Sequence, residues 1–413
     1  MEFNPAPSYF LLLDINSCFA TIEQQANPLL RGKPVAVAAY VTDRGCILAA
    51  SIEAKRFGVK TGMRVSEGKT VCPHLIILPS DPEKYRFINR KLVTLLEEFT
   101  SDIEVKSIDE MVGNFEHSPF LYGITRENTS PRMHEIAREI KRRVNRDIGD
   151  WLSVSIGIAP NRYLAKVASG LEKPDGTIEI NGKNIEAVLG KMKLTDLCGI
   201  KEGYGGRLRR SGITTPLAMY HAAPKTLNSA LSSRIGYDWW TQLHGWDSDS
   251  GNTPIKTFGH SYALPIAYAP SDTRLHQILS ELVQKMGRRM REARFEAQGV
   301  RISCLFSDHS HWNHGEKQPM PLFSSDTLYS VAFRILAKAP RKPVRILAVN
   351  CFALRPLFYR QDDLFVNNTR KNCLTEALDR IADRWGEGTV FPGRMLGLPH
   401  KILDRIAFGK TNK

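Results

Sequence analysis

None of the seven cysteines in this 413-residue chain belongs to a CxxC pair. Scattered singly from Cys18 to Cys373, they exclude zinc sites of the usual spacing and a disulfide-stapled fold, and they fit a reducing compartment. No apolar run approaches the roughly 20 residues of a membrane span. Phe10 to Leu13 is only strand-sized, so no membrane partner is expected. Nor does a basic-then-apolar leader open the sequence, which predicts a cytoplasmic protein. Internal repeats are absent as well. The composition, 42% hydrophobic and 24% charged, is that of a globular protein, at a length beyond one ordinary domain.

Charge is present in excess of one sign. Lys and Arg number 57 against 43 Asp and Glu, a net +14. From Pro254 to Phe358 there are fifteen basic residues against seven acidic ones, a local +8. More than half the excess thus sits in about a quarter of the chain. A polyanion such as a phosphate backbone would be held by such a footprint, and a solvated basic face would look the same.

Three carboxylates carry the chemistry. Tyr9 to Leu13 reads as a strand running into Asp14, and Ile103 to Val105 as a strand leading to Ser107-Ile108-Asp109-Glu110. Acids at the ends of buried strands are costly unless a cation or hydrogen bonds compensate them. Hard divalent cations take oxygen ligands, and two of them can clamp both oxygens of an in-line phosphoryl transfer. Adjacent strand residues face opposite ways, so Asp109 and Glu110 can serve one site only at a turn or bulge. Alone, Asp14 reads equally as a helix N-cap, and Asp109-Glu110 as an exposed turn.

Helices are expected over Ser17 to Gln25, Ile52 to Phe57, Pro82 to Glu98 and from Ser130 to Val144, with strands Val35 to Tyr40, Gly45 to Ala50, Met111 to Phe115 and Val154 to Ile158. Strand–helix–strand–strand–helix–strand is the order of a split βαβ sheet. Leu194 to Ile213 suggests two short helices joined by Gly199 to Gly203, whose backbone N–H groups could meet a phosphate. Trp239 to Thr253 reads as a linker region. Beyond it, helices near Thr273 to Ala297 and Thr327 to Ala337 alternate with strands.

Taken together, Leu13-Asp14-Ile15-Asn16-Ser17-Cys18-Phe19, Glu53-Ala54-Lys55-Arg56-Phe57-Gly58, Ser107-Ile108-Asp109-Glu110, Leu164-Ala165-Lys166 and Lys173-Pro174-Asp175-Gly176 resemble, in order along the chain, the Y-family translesion DNA polymerases, in the bacterial UmuC/DinB-like branch. The resemblance implies an α+β multidomain right hand. A ferredoxin-like palm would span 1–17 and 80–180, small fingers 18–79, and a helix-hairpin-helix thumb 181–247. A linker at 248–254 would lead to an α+β little finger at 255–358, with a tail at 359–413.

It also implies two Mg²⁺ ions held by Asp14, Asp109, Glu110 and the Ile15 carbonyl. Phe19 would be a steric gate against the 2′-hydroxyl, and Lys55, Lys166 and Lys173 would meet the nucleotide. Gly199, Gly203, Arg288 and Arg289 would contact DNA. Gln361, Leu364 and Phe365 would bind a sliding clamp. Primer–template DNA and dNTP would be the substrates, at the nucleoid, and an accessory subunit of the UmuD type is allowed for. Two departures stand out: Ile52 and Lys55 replace the Tyr and Arg that many members carry, and Met111-Val112 replaces Ala-Phe after the acid pair. The rival readings are a catalytically weakened relative acting as a DNA- and clamp-binding scaffold, and a nucleotide cyclase on a similar palm.

Overall fold

The computed structural model describes residues 2–248, 255–357 and 369–397. The chain divides into two units between Gly251 and Asn252. The expected clamp-binding residues Gln361, Leu364 and Phe365 lie outside the described residues. Among the described residues, no helix is long and apolar enough to cross a membrane.

The first unit begins with β1 (Phe10–Ile15), α1 (Cys18–Ala26), β2 (Val35–Ala38), β3 (Ile47–Ala50), α2 (Ile52–Arg56), α3 (Val65–Val71) and β4 (Ile76–Pro79). It continues through α4 (Pro82–Glu97), β5 (Asp102–Val105), β6 (Glu110–Asn114), α5 (Thr129–Arg143), β7 (Val154–Ala159), α6 (Arg162–Leu171) and β8 (Thr177–Glu179). Five helices close it: α7 (Ile185–Gly190), α8 (Glu202–Arg210), α9 (Pro216–His221), α10 (Pro224–Leu231) and α11 (Ile235–Leu243).

Strand order in the main sheet is β5-β6-β1-β7-β8. Its first four strands have the ferredoxin-like arrangement, with β1 antiparallel to both β6 and β7. The apolar run of β1 is explained by burial on both sides: Leu11, Leu13 and Ile15 join the core beneath α4 and α5, while Leu12 joins the core with α6 and the later helices. The pleat then puts Asp14 on the Leu12 face. A smaller sheet, β3-β2-β4, encloses its own core with Val59, Val65 and Leu75.

Helix α6 lies directly on β7 at Gly157, where an ideal Cβ would stand 1.9 Å from the Ala165 carbonyl oxygen and 2.4 Å from the Ser169 nitrogen. Gly157→Ala is therefore expected to destabilise this unit by about 1–3 kcal/mol, read as a lower denaturant midpoint. Gly170, on the same helix with nothing within 4 Å of its Cβ position, is the control. Gly170→Ala should stabilise by about 0.5–1 kcal/mol.

Trp239 and Trp240, expected in a linker, instead sit buried in α11 within the helical core. The expected start of the linker thus falls inside a helix, because the aromatic pair packs with the core and not with the polar residues that follow it.

The second unit is a four-stranded antiparallel sheet of β9 (Thr257–Tyr268), β10 (Phe295–Phe306), β11 (His311–Leu322) and β12 (Val344–Pro356), ordered β11-β10-β12-β9. Helices α12 (Thr273–Glu292) and α13 (Ser325–Leu336) cover one face through Val300, Ile302, Leu347 and Val349. The first of these helices ends earlier than its sequence pattern suggested. Arg294 turns the chain at φ 62°, and Phe295 already begins β10. A further helix, α14 (Thr369–Trp385), lies in the segment expected as a tail. Its Asp379 meets the buried Arg291 at 2.5 Å, and its Asp383 meets Arg288 at 2.7 Å, both on α12.

Candidate active site

Asp109 and Glu110 escape the alternation problem because Asp109 lies in a tight hairpin turn and only Glu110 in the strand that follows. Lys106 and Ser107 both donate their backbone N–H to the Glu110 carbonyl, at 2.9 and 3.1 Å. The Ser107 hydroxyl oxygen accepts from Glu110 N at 3.1 Å, and its proton goes to the Asp109 carboxylate. Glu110 thus opens β6 directly opposite Asp14, while Asp109 stays in the turn and accepts the Ile15 N–H at 2.9 Å.

Each of two acids is met by a lysine. Lys173 Nζ lies 2.5 Å from Asp14 Oδ1, and Lys166 pairs with Glu110. Burial raises the Asp14 carboxyl to about 6, against the pull of Lys173 and with added push from Glu110 and Asp109. For Lys166, burial would lower the ammonium, but its hydrogen bond and ion pair with Glu110 outweigh that and hold it above the ordinary lysine range. The Lys55 ammonium is held low, by burial first and then by the charge of Lys173.

Among the described residues, no three His, Cys, Asp or Glu side chains converge tightly enough to enclose a metal ion. Their partners account for this: Asp14 and Glu110 lean to lysines, and Asp109 to Ser107. The donor set nonetheless fits a hard cation. It is made of carboxylate oxygens at the end of β1, where the Ile15 carbonyl also lies, and its buried negative charge already attracts ammonium groups. The one soft candidate, Cys18, is kept protonated: burial pushes its thiol well up, and the charges of Asp109 and Asp14 add to it.

The three acids, Phe19, Lys55, Lys166 and Lys173 all line one cavity of about 710 Å³. Ser51 caps α2 by accepting the Ala54 N–H at 3.2 Å, which starts the helix where Lys55 can reach that cavity. Ile52 is not part of the lining. The Phe19 ring is buried and stacks on Tyr85 with centroids 4.3 Å apart and planes 11° apart. Sequence reasoning missed Lys106, Arg162, Tyr163 and Gln242, which share the cavity wall, and Tyr85 behind Phe19. Lys106 was findable, since it directly follows β5, at the turn that leads to the acid pair.

The thumb expectation is met in part. Gly199 turns the chain at φ 84°, but the first helix is only a 3₁₀ turn, Leu194–Asp196, and Gly203 lies inside α8 rather than in the turn. In the second unit, Arg288 is taken up by Glu292 and Asp383 at 3.0 and 2.7 Å, on the side of α12 facing α14. Arg289 is exposed and donates to the Gly259 carbonyl at 3.4 Å, at the β9 edge. The sheet face away from the helices carries Arg301, whose register partners are Gly315 and Asn350. Strand alternation around the buried Val300 and Ile302 would have singled out Arg301.

A ferredoxin-like palm with acids at the tips of β1 and a β5–β6 hairpin, beside lysines from α2 and α6, belongs to the class of nucleotidyl-transferring palm domains. Residues 13–170 match the impB/mucB/samB family, and residues 255–364 its C-terminal domain. DNA polymerase IV of Pelotomaculum thermopropionicum is 30% identical over 92% of this chain and 93% of its own. DNA polymerase IV 2 of Bacillus subtilis is 29% identical over 96% of each. Among solved structures, a Y-family DNA polymerase chimera of Dbh and Dpo4 superposes with a TM-score of 0.71 at 23% identity, over 83% of this chain and 98% of that one. The insertion ternary complex of Dbh DNA polymerase gives 0.55 at 22% identity over the same shares. The chain belongs to the impB/mucB/samB family, the Y-family DNA polymerases.

Proposed function

We infer that this chain is a DNA-directed DNA polymerase of the lesion-bypass type, a Y-family member adding deoxynucleotides to a primer 3′-hydroxyl. The observation that carries it is the opposition of Asp14 and Glu110 across β1 and β6, with Asp109 in the adjoining turn, at a cavity lined with lysines. A scaffold has no need of this arrangement, and a cyclase leaves the later helices and the basic second unit unexplained.

Asp14, Asp109, Glu110 and the Ile15 carbonyl would hold two Mg²⁺ ions, which would activate the primer hydroxyl and neutralise the pyrophosphate leaving group. Lys55 and Lys173, on the Asp14 side, would take the triphosphate, and Lys166 would exchange Glu110 for it. As mobile point charges, lysines can move from carboxylate to phosphate without a fixed bidentate geometry. Phe19 would exclude a ribose 2′-hydroxyl from below the sugar. Palm, fingers and thumb would follow the boundaries 1–17 with 80–180, 18–79 and 181–247. In the second unit, the polar sheet face bearing Arg301 would meet the DNA backbone, together with Arg289. A sliding clamp at Gln361, Leu364 and Phe365 and a UmuD-like subunit would be its protein partners in the cytoplasm.

Primer extension with Mg²⁺ on an undamaged template and on one with a single abasic site tests this function. Insertion opposite the abasic site followed by continued extension is expected. Extension that halts at the lesion would contradict the bypass reading, and no extension on either template would overturn the polymerase reading.

A further inference from the structure

Along α6, three cations face three acids carried by successive strands. Arg162 Nε lies 3.6 Å from Glu104 on β5, Lys166 pairs with Glu110 on β6, and Lys173, just past the helix, meets Asp14 on β1. Two of these rungs belong to the reaction described above. The third, at Glu104, has no part in it.

That third rung holds a second cation. Lys106 Nζ lies 2.7 Å from the same Glu104 carboxylate oxygen. Because Lys106, just past the end of the edge strand β5, donates its N–H to the Glu110 carbonyl at 2.9 Å, it stands beside the cross-strand pair Asp14–Glu110. Arg162 is fixed further by Asp247 and by the Phe10 ring, whose centroid lies 4.8 Å from the guanidinium carbon. Both side chains are 19% exposed, and both line the cavity of the catalytic acids. Glu104 therefore sets where two cations sit. An ammonium with three N–H donors and a guanidinium with five can each serve a carboxylate and a phosphate together.

The direction of the reaction selects the phosphate. In an in-line displacement the attacking and leaving oxygens lie on opposite sides of the phosphorus. Lys55 and Lys173 stand on the Asp14 side, toward α2, where the leaving pyrophosphate would go. The nucleophile must then approach from the β5 edge, where Lys106 and Arg162 stand. One sugar behind a primer 3′-hydroxyl is the phosphodiester of the last primer linkage.

We propose that Lys106 and Arg162, oriented by Glu104, form a subsite for that terminal primer phosphodiester. This rests on the polymerase reading. The test compares primers with an ordinary and a neutral methylphosphonate terminal linkage, in single-turnover extension by wild type, Lys106→Leu, Lys106→Arg and Lys106→Leu/Arg162→Gln.

Wild type should lose about tenfold in primer–template affinity with the neutral linkage, as expected for one charge-assisted contact. Lys106→Leu should show that loss already with the ordinary primer and lose little more with the neutral one, at unchanged KM for dNTP. In the double variant the log–log salt dependence of binding should be shallower by about one to two units. Lys106→Arg should restore sensitivity to the linkage, which a merely structural role of Lys106 does not predict. Equal loss in wild type and Lys106→Leu, or a defect confined to KM for dNTP, would overturn the subsite while leaving the polymerase reading intact. Failure of wild type to extend either primer would instead remove the reading beneath it.

Discussion

Asp14→Asn is expected to abolish nucleotide addition and yet to raise the melting temperature of the metal-free protein at pH 8. The folded protein holds a proton on Asp14 up to about pH 6, whereas the unfolded chain releases it near 3.8. Between those values the native state binds more protons, so stability falls as pH rises through the window, and the full penalty is present above it. A shift of this size corresponds to roughly 2–3 kcal/mol. The Lys173 ammonium, whose side chain is 40% exposed, can turn to water when its partner is gone. Melting curves of the two proteins should therefore coincide near pH 3.5, if both remain folded there, and separate progressively toward pH 7. An Asn variant less stable than wild type at pH 8 would contradict this account of the site. Such exchange of stability for function is what an acid buried for catalysis should show.

Phe19→Ala is expected to collapse discrimination against ribonucleotides by about a hundredfold, read as the ratio of kcat/KM for dNTP and rNTP. The ring is held from behind. Tyr85 stacks on it, the Tyr85 hydroxyl donates to Glu23 Oε1 at 2.9 Å, and Lys84 Nζ meets the other Glu23 oxygen at 2.6 Å. Glu23 lies one turn after Phe19 on α1, so Phe19 and the anchor of the ring behind it share a rigid element. Burial of Tyr85 pushes its phenol up, which keeps it a donor. Tyr85→Ala, which removes a stacking contact of about 0.5–1.5 kcal/mol, should relax the same ratio up to about tenfold. An unchanged ratio in Phe19→Ala would remove Phe19 from the gate.

Much of this architecture was legible because its physics is local. The run into Asp14 reads as a buried strand, and it is one. The argument that Asp109 and Glu110 need a turn follows from strand alternation alone, and Ser107 supplies that turn. Residues whose roles depend on distant partners were harder. Arg288 looks like any basic residue on an amphipathic helix until α14, nearly a hundred residues later, brings Asp383 to it. Trp239 and Trp240 seemed part of a polar stretch until the core of the helical segment took them in. The pairing of Lys166 and Lys173 with the acids was likewise invisible, because it requires α6 and the residues just after it to lie against strands distant in sequence.

The most direct test of the central claim is single-turnover primer extension with Mg²⁺ by wild type and Asp109→Ala/Glu110→Ala, with primer–template affinity measured in parallel. Losing carboxylates that would hold the metal ions should forfeit several kcal/mol of transition-state stabilisation, at least about a thousandfold in rate. Affinity for primer–template should change by no more than about threefold, since the DNA grip is expected to be set mainly by basic groups elsewhere. Extension by the double variant at a rate near that of wild type would place the chemistry at other residues.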